Sequence, residues 1–281
     1  NLGAGSPSFF FYGPFVFWFV ALFGAPVCSG CAFEQWVMIG PSVLLALSGL
    51  SFYLWARLYA RPTVALAAAT LYMFLPYHFA IDLWYRQALG EFSTYVWLPL
   101  ILLGLAKAST SRRYLVLAAV AYGGLLFSHL PGALLFSPLL VVFVWTHYGA
   151  WQGARMLLPV VALGMGLASI YLVPALSMQD TINAAALWEQ GGPHYEPLNW
   201  LWLDAFEGHA FHDIVLRALL VATGLGAGMI ALLMRAKRGR APLIIFLIIS
   251  MVYAWFLMTA PSTLLWEHIG LLRKVQFPWR V

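Results

Sequence analysis

Residues 71–105 read "LYMFLPYHFAIDLWYRQALGEFSTYVWLPLILLGL". Two apolar arms flank the positions 78 to 91, which hold His78, Asp82, Tyr85, Arg86 and Glu91. A helix that crosses a bilayer needs roughly 20 mostly apolar residues. Each arm reaches that length when continued outward. The stretch therefore reads as two membrane helices joined by a polar turn, and the remainder of the chain repeats the pattern.

Composition agrees. The 281 residues are 63% hydrophobic and only 9% charged, where soluble domains carry about 25% charge. No soluble fold of this length hides that much apolar surface, so the solvent is lipid. The formal charge of +5 is spread in short clusters between apolar runs, which excludes a nucleic-acid partner. No phosphate-binding loop of the G-x-x-x-x-G-K-[ST] kind and no G-x-G-x-x-G after a strand is present, so nothing points to ATP or a dinucleotide.

The fold expected is all-α: a polytopic bundle of about eight spans, at 36–56, 63–79, 88–106, 114–127, 132–148, 156–177, 214–234 and 242–260, plus one interfacial helix. It forms a single transmembrane domain over 1–281. The first residue is Asn1 rather than Met and the last is Val281, which reads as a piece of a longer chain. Within it, 1–35 is an outer loop and 178–213 a second, long outer loop. In the first, "SFFFYGPFVFWFVALFG" (8–24) carries Gly13, Pro14 and many aromatic residues, and a helix lying in the outer interface is favoured over a crossing. In the second, Trp200 and Trp202 are expected near the headgroups. Cys28 and Cys31 ("CSGC") lack the partners of a zinc site. His194, His209, His212 and Asp213 are candidate ligands for a metal site, but "GHAFHD" lacks a supporting third motif.

Orientation follows from Lys and Arg. Arg57 and Arg61 lie in one connection, Lys107, Arg112 and Arg113 in another. Arg155 lies in a third, and Arg235, Lys237, Arg238 and Arg240 in a fourth. With eight spans all four fall on one side, which the positive-inside rule makes cytoplasmic. The acids, Asp82 and Glu91 among them, and every histidine except His147 then face outward.

Ionisable groups at a membrane are costly, so the cluster at 78–91 is a functional candidate. His78, Asp82 and Arg86 lie at i, i+4, i+8, one stripe of a helix, with Asp82 between two partners. The cation beside it keeps Asp82 ionised. An ionised carboxylate in a sheltered place takes a proton from an acceptor hydroxyl, or holds a divalent metal such as Mg or Mn. Arg86 is suited to a phosphate. Glu91 falls on the opposite side of one continuous helix from Asp82, so either the chain breaks between them or Glu91 ties Arg86 or a neighbouring helix. His129, in "FSHLPG", lies on the same outer side. Arg273, Lys274 and Arg280, in "RKVQFPWR", suit headgroups or a donor phosphate. For Asp82 and Arg86 the bland alternative is a structural ion pair that fixes the helix turn, and for His78 an interface histidine.

The pieces "YRQALGEF…LPL", "FSHLPGALLFSPLL", "YLVPAL" and "QFPWR" resemble polytopic glycosyltransferases of the GT-C type, and most of all a bacterial integral membrane family termed 6-pyruvoyl-tetrahydropterin synthase-related. The soluble pterin synthases bind zinc through histidines that have no counterpart here. The resemblance implies an interfacial helix near 8–25, a carboxylate in the second outer loop at Asp82, and a first-loop catalytic acid preceding Asn1. It implies a protein of the bacterial inner (plasma) membrane that works in the cell envelope. The expected activity is transfer of a sugar from a polyprenyl-phosphate donor to a glycan or protein acceptor on the outside or periplasmic face. Asp82, Glu91 and His129 are then the catalytic candidates, with Asp82 also the candidate metal ligand. Arg86, His78, Tyr85 and Arg280 are the donor-phosphate candidates. The alternatives are a transporter or lipid flippase, and a non-catalytic membrane assembly subunit.

Overall fold

The computed structural model describes residues 13–27, 30, 33–178, 210–235, 240–272 and 275. Among them every regular element is helical. In chain order these are α1 (Phe15–Val27), α2 (Phe33–Ala56), α3 (Pro62–Met73), a π-helical segment π1 (Tyr77–Tyr85), α4 (Leu89–Ala106), α5 (Arg112–Ser128), α6 (Leu130–Tyr148), α7 (Ala150–Ser177), α8 (Ala210–Arg235), α9 (Ala241–Leu257), a 3-10 turn (Ala260–Ser262) and α10 (Thr263–His268).

Six of these stretches are long and apolar enough to cross a membrane, or seven if the bent pair α9 and 260–268 counts as one. The π-helical segment continues α3, so the second span runs Pro62–Tyr85 and is longer than the 63–79 expected. Two expected spans differ. α5 has only 17 residues and opens on Arg112 and Arg113, at the short limit for a crossing. The 242–260 span ends at Leu257 and bends by 84°, where Pro261 cannot supply a helical N–H.

The spans expose their apolar sides. Only 17% of the best window of the Asp213–Arg235 span is buried, against 67% for Leu89–Ala106. Ile170, Leu158 and Leu232 stand open. Water would not tolerate so continuous an apolar surface, so this is a membrane protein.

The chain divides into two units. The first holds Asn1–Phe74, His78–Ala133 and Arg155–Thr181, and α4 is its centre. α4 and α5 run antiparallel along their whole length. A Cβ at Gly104 would collide with the Tyr114 carbonyl and Ala118, so backbones meet there because no side chain intervenes. At the other end Trp97 Nε1 donates to Ser128 Oγ at 2.9 Å, and Gly90 lies beside the Ser128 carbonyl. α7 joins α5 through Gly164 against Gly123 and Tyr171 against Phe127, whose ring centroids are 5.7 Å apart.

α1, at 13 residues, is about 20 Å long, too short to cross. It passes over α5, α4 and α2 near one end. Gly13 abuts the Ser128 carbonyl, Phe15 meets Trp97 edge-on at 5.1 Å, and Val20 fits against Gly40. Phe19 enters a core with Leu44, Leu83, Phe92 and Val96.

The second unit holds Leu75–Tyr77, Leu134–Ala154 and Ile182–Val281. Gly149, between α6 and α7, takes a left-handed φ of 77°, a conformation glycine adopts without strain. Tyr253 donates to the Leu135 carbonyl at 3.0 Å, tying α9 to α6. Trp255 Nε1 donates to Thr223 Oγ1 at 3.0 Å, tying α9 to α8. Trp266, wholly buried with Leu135 and Leu257, donates to the Leu257 carbonyl at 3.1 Å and pins the bend. These bonds close polar groups internally, as a lipid solvent demands.

Candidate functional site

Pro76 sets the local geometry. In an α-helix its N–H would bond the Tyr72 carbonyl, but proline has none. The chain resumes in the wider π pattern, and the Arg86 N–H reaches back five residues to the Ile81 carbonyl at 2.8 Å. π-Helical turns are uncommon and recur at functional sites. The segment closes with the Ala88 N–H on the Asp82 carbonyl at 2.8 Å. Gln87 takes φ 50°, a left-handed conformation worth about 1–2 kcal/mol of strain for a residue with a side chain. α4 then begins afresh, with Phe92 N–H on the Ala88 carbonyl at 2.8 Å.

The break brings the ions together. Arg86 Nη1 donates to Asp82 Oδ1 at 2.8 Å and to Glu91 Oε2 at 3.0 Å. Asp82 is wholly buried and the Arg86 side chain is 13% exposed. Glu91, in the first turn of α4, also sits at the positive end of the helix dipole. The expected Asp82–Arg86 pair therefore forms, and Glu91 does both things the sequence allowed: the chain breaks before it, and it ties Arg86.

His78 departs from the expected stripe. Its Nδ1 pairs with the Tyr72 carbonyl at 2.9 Å, the acceptor that Pro76 leaves without its helical donor. Its ring stacks on Tyr95 at 3.9 Å, and its Nε2 has no hydrogen-bond partner. The link to Asp82 runs through Tyr95, whose hydroxyl donates to Asp82 Oδ2 across a long 3.5 Å. Tyr72 donates in turn to the Tyr95 carbonyl at 2.9 Å. Tyr72 and Tyr95 are site residues that the sequence reading missed. The signal available for Tyr95 was its position four residues after Glu91, on the same face of α4.

His129 lies between α5 and α6, and its Nδ1 accepts the Gly132 N–H at 3.0 Å. Gly132 also approaches Thr94 of α4, which places His129 at the same end of the unit as Glu91. Tyr85 is 64% exposed. Arg273, Lys274, Arg280, Trp200, Trp202, His194 and His209 lie outside the described residues, as do Cys28 and Cys31. No side-chain arrangement is described for His212, and Asp213 is exposed.

Among the described residues no three His, Cys, Asp or Glu side chains converge, and the two carboxylates that do converge already share Arg86. Arg86 is likewise held by two acids before any phosphate arrives.

The spans fix the end at which all this happens. Arg61 precedes Pro62–Tyr85 and Arg86 follows it; Glu91 opens Leu89–Ala106 and Lys107 follows it. The ion cluster and the basic connections thus occupy opposite ends of the same helices. No protein-family model, no curated protein and no solved structure matches the chain.

Proposed function

We propose that the chain is the membrane part of a GT-C-like transferase of the bacterial inner membrane. It moves a sugar from a polyprenyl-phosphate donor to a glycan or protein acceptor on the extracytoplasmic face. The observation that carries this reading is the meeting of Asp82, Arg86 and Glu91 at the end of the bundle opposite the basic connections. The positive-inside rule makes that end extracytoplasmic. In this reading α5 completes an eighth crossing, supported by its pairing with α4 from end to end, and α1 lies in the outer interface.

The geometry favours a division of labour. Asp82 is buried and oriented by Arg86 and Tyr95, so it positions rather than touches. Glu91, held by the same guanidinium and with 8% of its side chain exposed against none of Asp82's, is the carboxylate placed to accept the proton of an acceptor hydroxyl. Donor phosphate falls to Arg280 or to Arg86 after it releases one acid.

The test uses the full-length protein in membranes supplied with radiolabelled polyprenyl-phosphate sugars. Asp82→Asn and Glu91→Gln should each abolish transfer of label to lipid-free acceptor, with protein level and monodispersity retained. Unchanged turnover in either variant removes that residue from the mechanism.

A second reading has an observation of its own. Asp82 and His78 are wholly buried, as befits an ionic lock in a non-catalytic assembly subunit. That reading expects the same two variants to lower thermal stability and to leave any transfer untouched.

A further inference from the structure

His78 is a buried titratable group that the proposed chemistry does not use. A carbonyl only accepts, so the 2.9 Å contact with Tyr72 makes Nδ1 the donor. A neutral ring then carries its lone pair on Nε2, and that nitrogen is buried with no partner. The ring stacks on Tyr95 at 3.9 Å, with Phe92 tilted against it at 4.9 Å and Tyr72 at 5.4 Å.

The titratable and charged groups around it come from each neighbouring element. α3 offers Tyr72, and α4 offers Tyr95 and Glu91. Asp82 and Arg86 lie on π1 and the turn after it. α2 carries Glu34 and Tyr53, and α1 carries none. Asp82 and Glu91 both point at Arg86. In the packed state a proton added at Nε2 thus creates a buried charged N–H with no acceptor, which is strongly unfavourable.

We propose that His78 is a proton-triggered release for the turn that carries Arg86 and Glu91. Proton uptake at Nε2 drives the imidazole out of its slot on Tyr95. Its departure frees the Tyr72 carbonyl and lets π1 and the start of α4 separate. The open state binds the proton and the packed state does not, so acid favours opening. The carboxylates then exchange one cation for another, since the freed imidazolium can reach Asp82 or Glu91 while Arg86 is released toward an anionic ligand.

Hydrogen–deuterium exchange on the full-length protein in lipid nanodiscs tests this, at about pH 7.5 and about pH 5.5, within the range where histidine titrates. After correction for intrinsic rates, peptides covering 72–95 of the wild type should exchange faster in acid, by up to about tenfold per pH unit once Nε2 titrates. In His78→Asn the amide keeps a donor for the Tyr72 carbonyl and has nothing to protonate, so the acid step should vanish; His129→Asn should keep it. An acid step that persists in His78→Asn, a wild type without one, or one spread evenly over the chain overturns the proposal. If His78→Asn does not fold, His78→Gln is read in the same way, and the wild-type pattern must still be confined to 72–95.

Discussion

At the scale of single residues, the chain concentrates its internal charge on one nitrogen. Arg86 Nη1 serves both Asp82 and Glu91. Burying ions is expensive, and removing one partner of a buried pair typically destabilises by about 3–5 kcal/mol because the other charge is stranded. Arg86→Ala should therefore lower the thermal midpoint in detergent far more than Asp82→Asn, which leaves Arg86 paired with Glu91. A double-mutant cycle between positions 82 and 86 should return a coupling of about 0.5–3 kcal/mol. Additive effects would mean that the pair is not formed in the folded protein. The i, i+4 spacing made this pair legible in advance. The orientation of His78 was not legible, because it depends on the Tyr72 carbonyl at the C-terminal cap of α3, where Pro76 offers no N–H, and on a ring from the next helix.

At the scale of elements, Pro76 and π1 decide where the acids point. Pro76→Ala restores a donor four residues beyond Tyr72 and permits an ordinary α-helix through Tyr85. Thermal stability should hold or rise, while the Asp82–Arg86–Glu91 geometry is lost and transfer falls by at least about tenfold, the change that 1.36 kcal/mol of barrier produces. Wild-type turnover in Pro76→Ala would show that the π register is dispensable. The α4–α5 seam makes a separate test. Gly104 sits against the Tyr114 carbonyl and Ala118, so Gly104→Leu should overpack the seam and cost about 1–3 kcal/mol. A denaturation midpoint equal to the wild type would contradict the seam. Apolar runs announced these helices, but α5 and the 242–260 stretch show what runs leave out. Length at the margin and a proline bend depend on backbone bonding that hydropathy does not report.

At the scale of the whole molecule, the claim to be tested is sidedness. In a background with Cys28 and Cys31 replaced by serine, a single cysteine at Leu58 or Ser111 should be shielded from membrane-impermeant maleimide in intact cells. One at Gln87 should be labelled. The reverse pattern would place the ion cluster on the cytoplasmic side and defeat the proposed use of an external lipid-linked donor, and labelling of all three would show that these helices do not separate the two sets of positions across a membrane.

The membrane class, most of the span positions and the segregation of the basic connections from the 78–91 cluster were determined by the sequence alone. Each follows from local composition: apolar length sets a crossing, and lysine and arginine between crossings set its sense. The tertiary structure decided what the cluster is. It bent the chain at Gln87 so that Glu91 returned to Arg86, brought Tyr95 between His78 and Asp82, and left His78 Nε2 without a partner. Those outcomes depend on which helix lies against which, and the energy of a buried ion or an unmet nitrogen exists only after a neighbour has displaced the solvent around it.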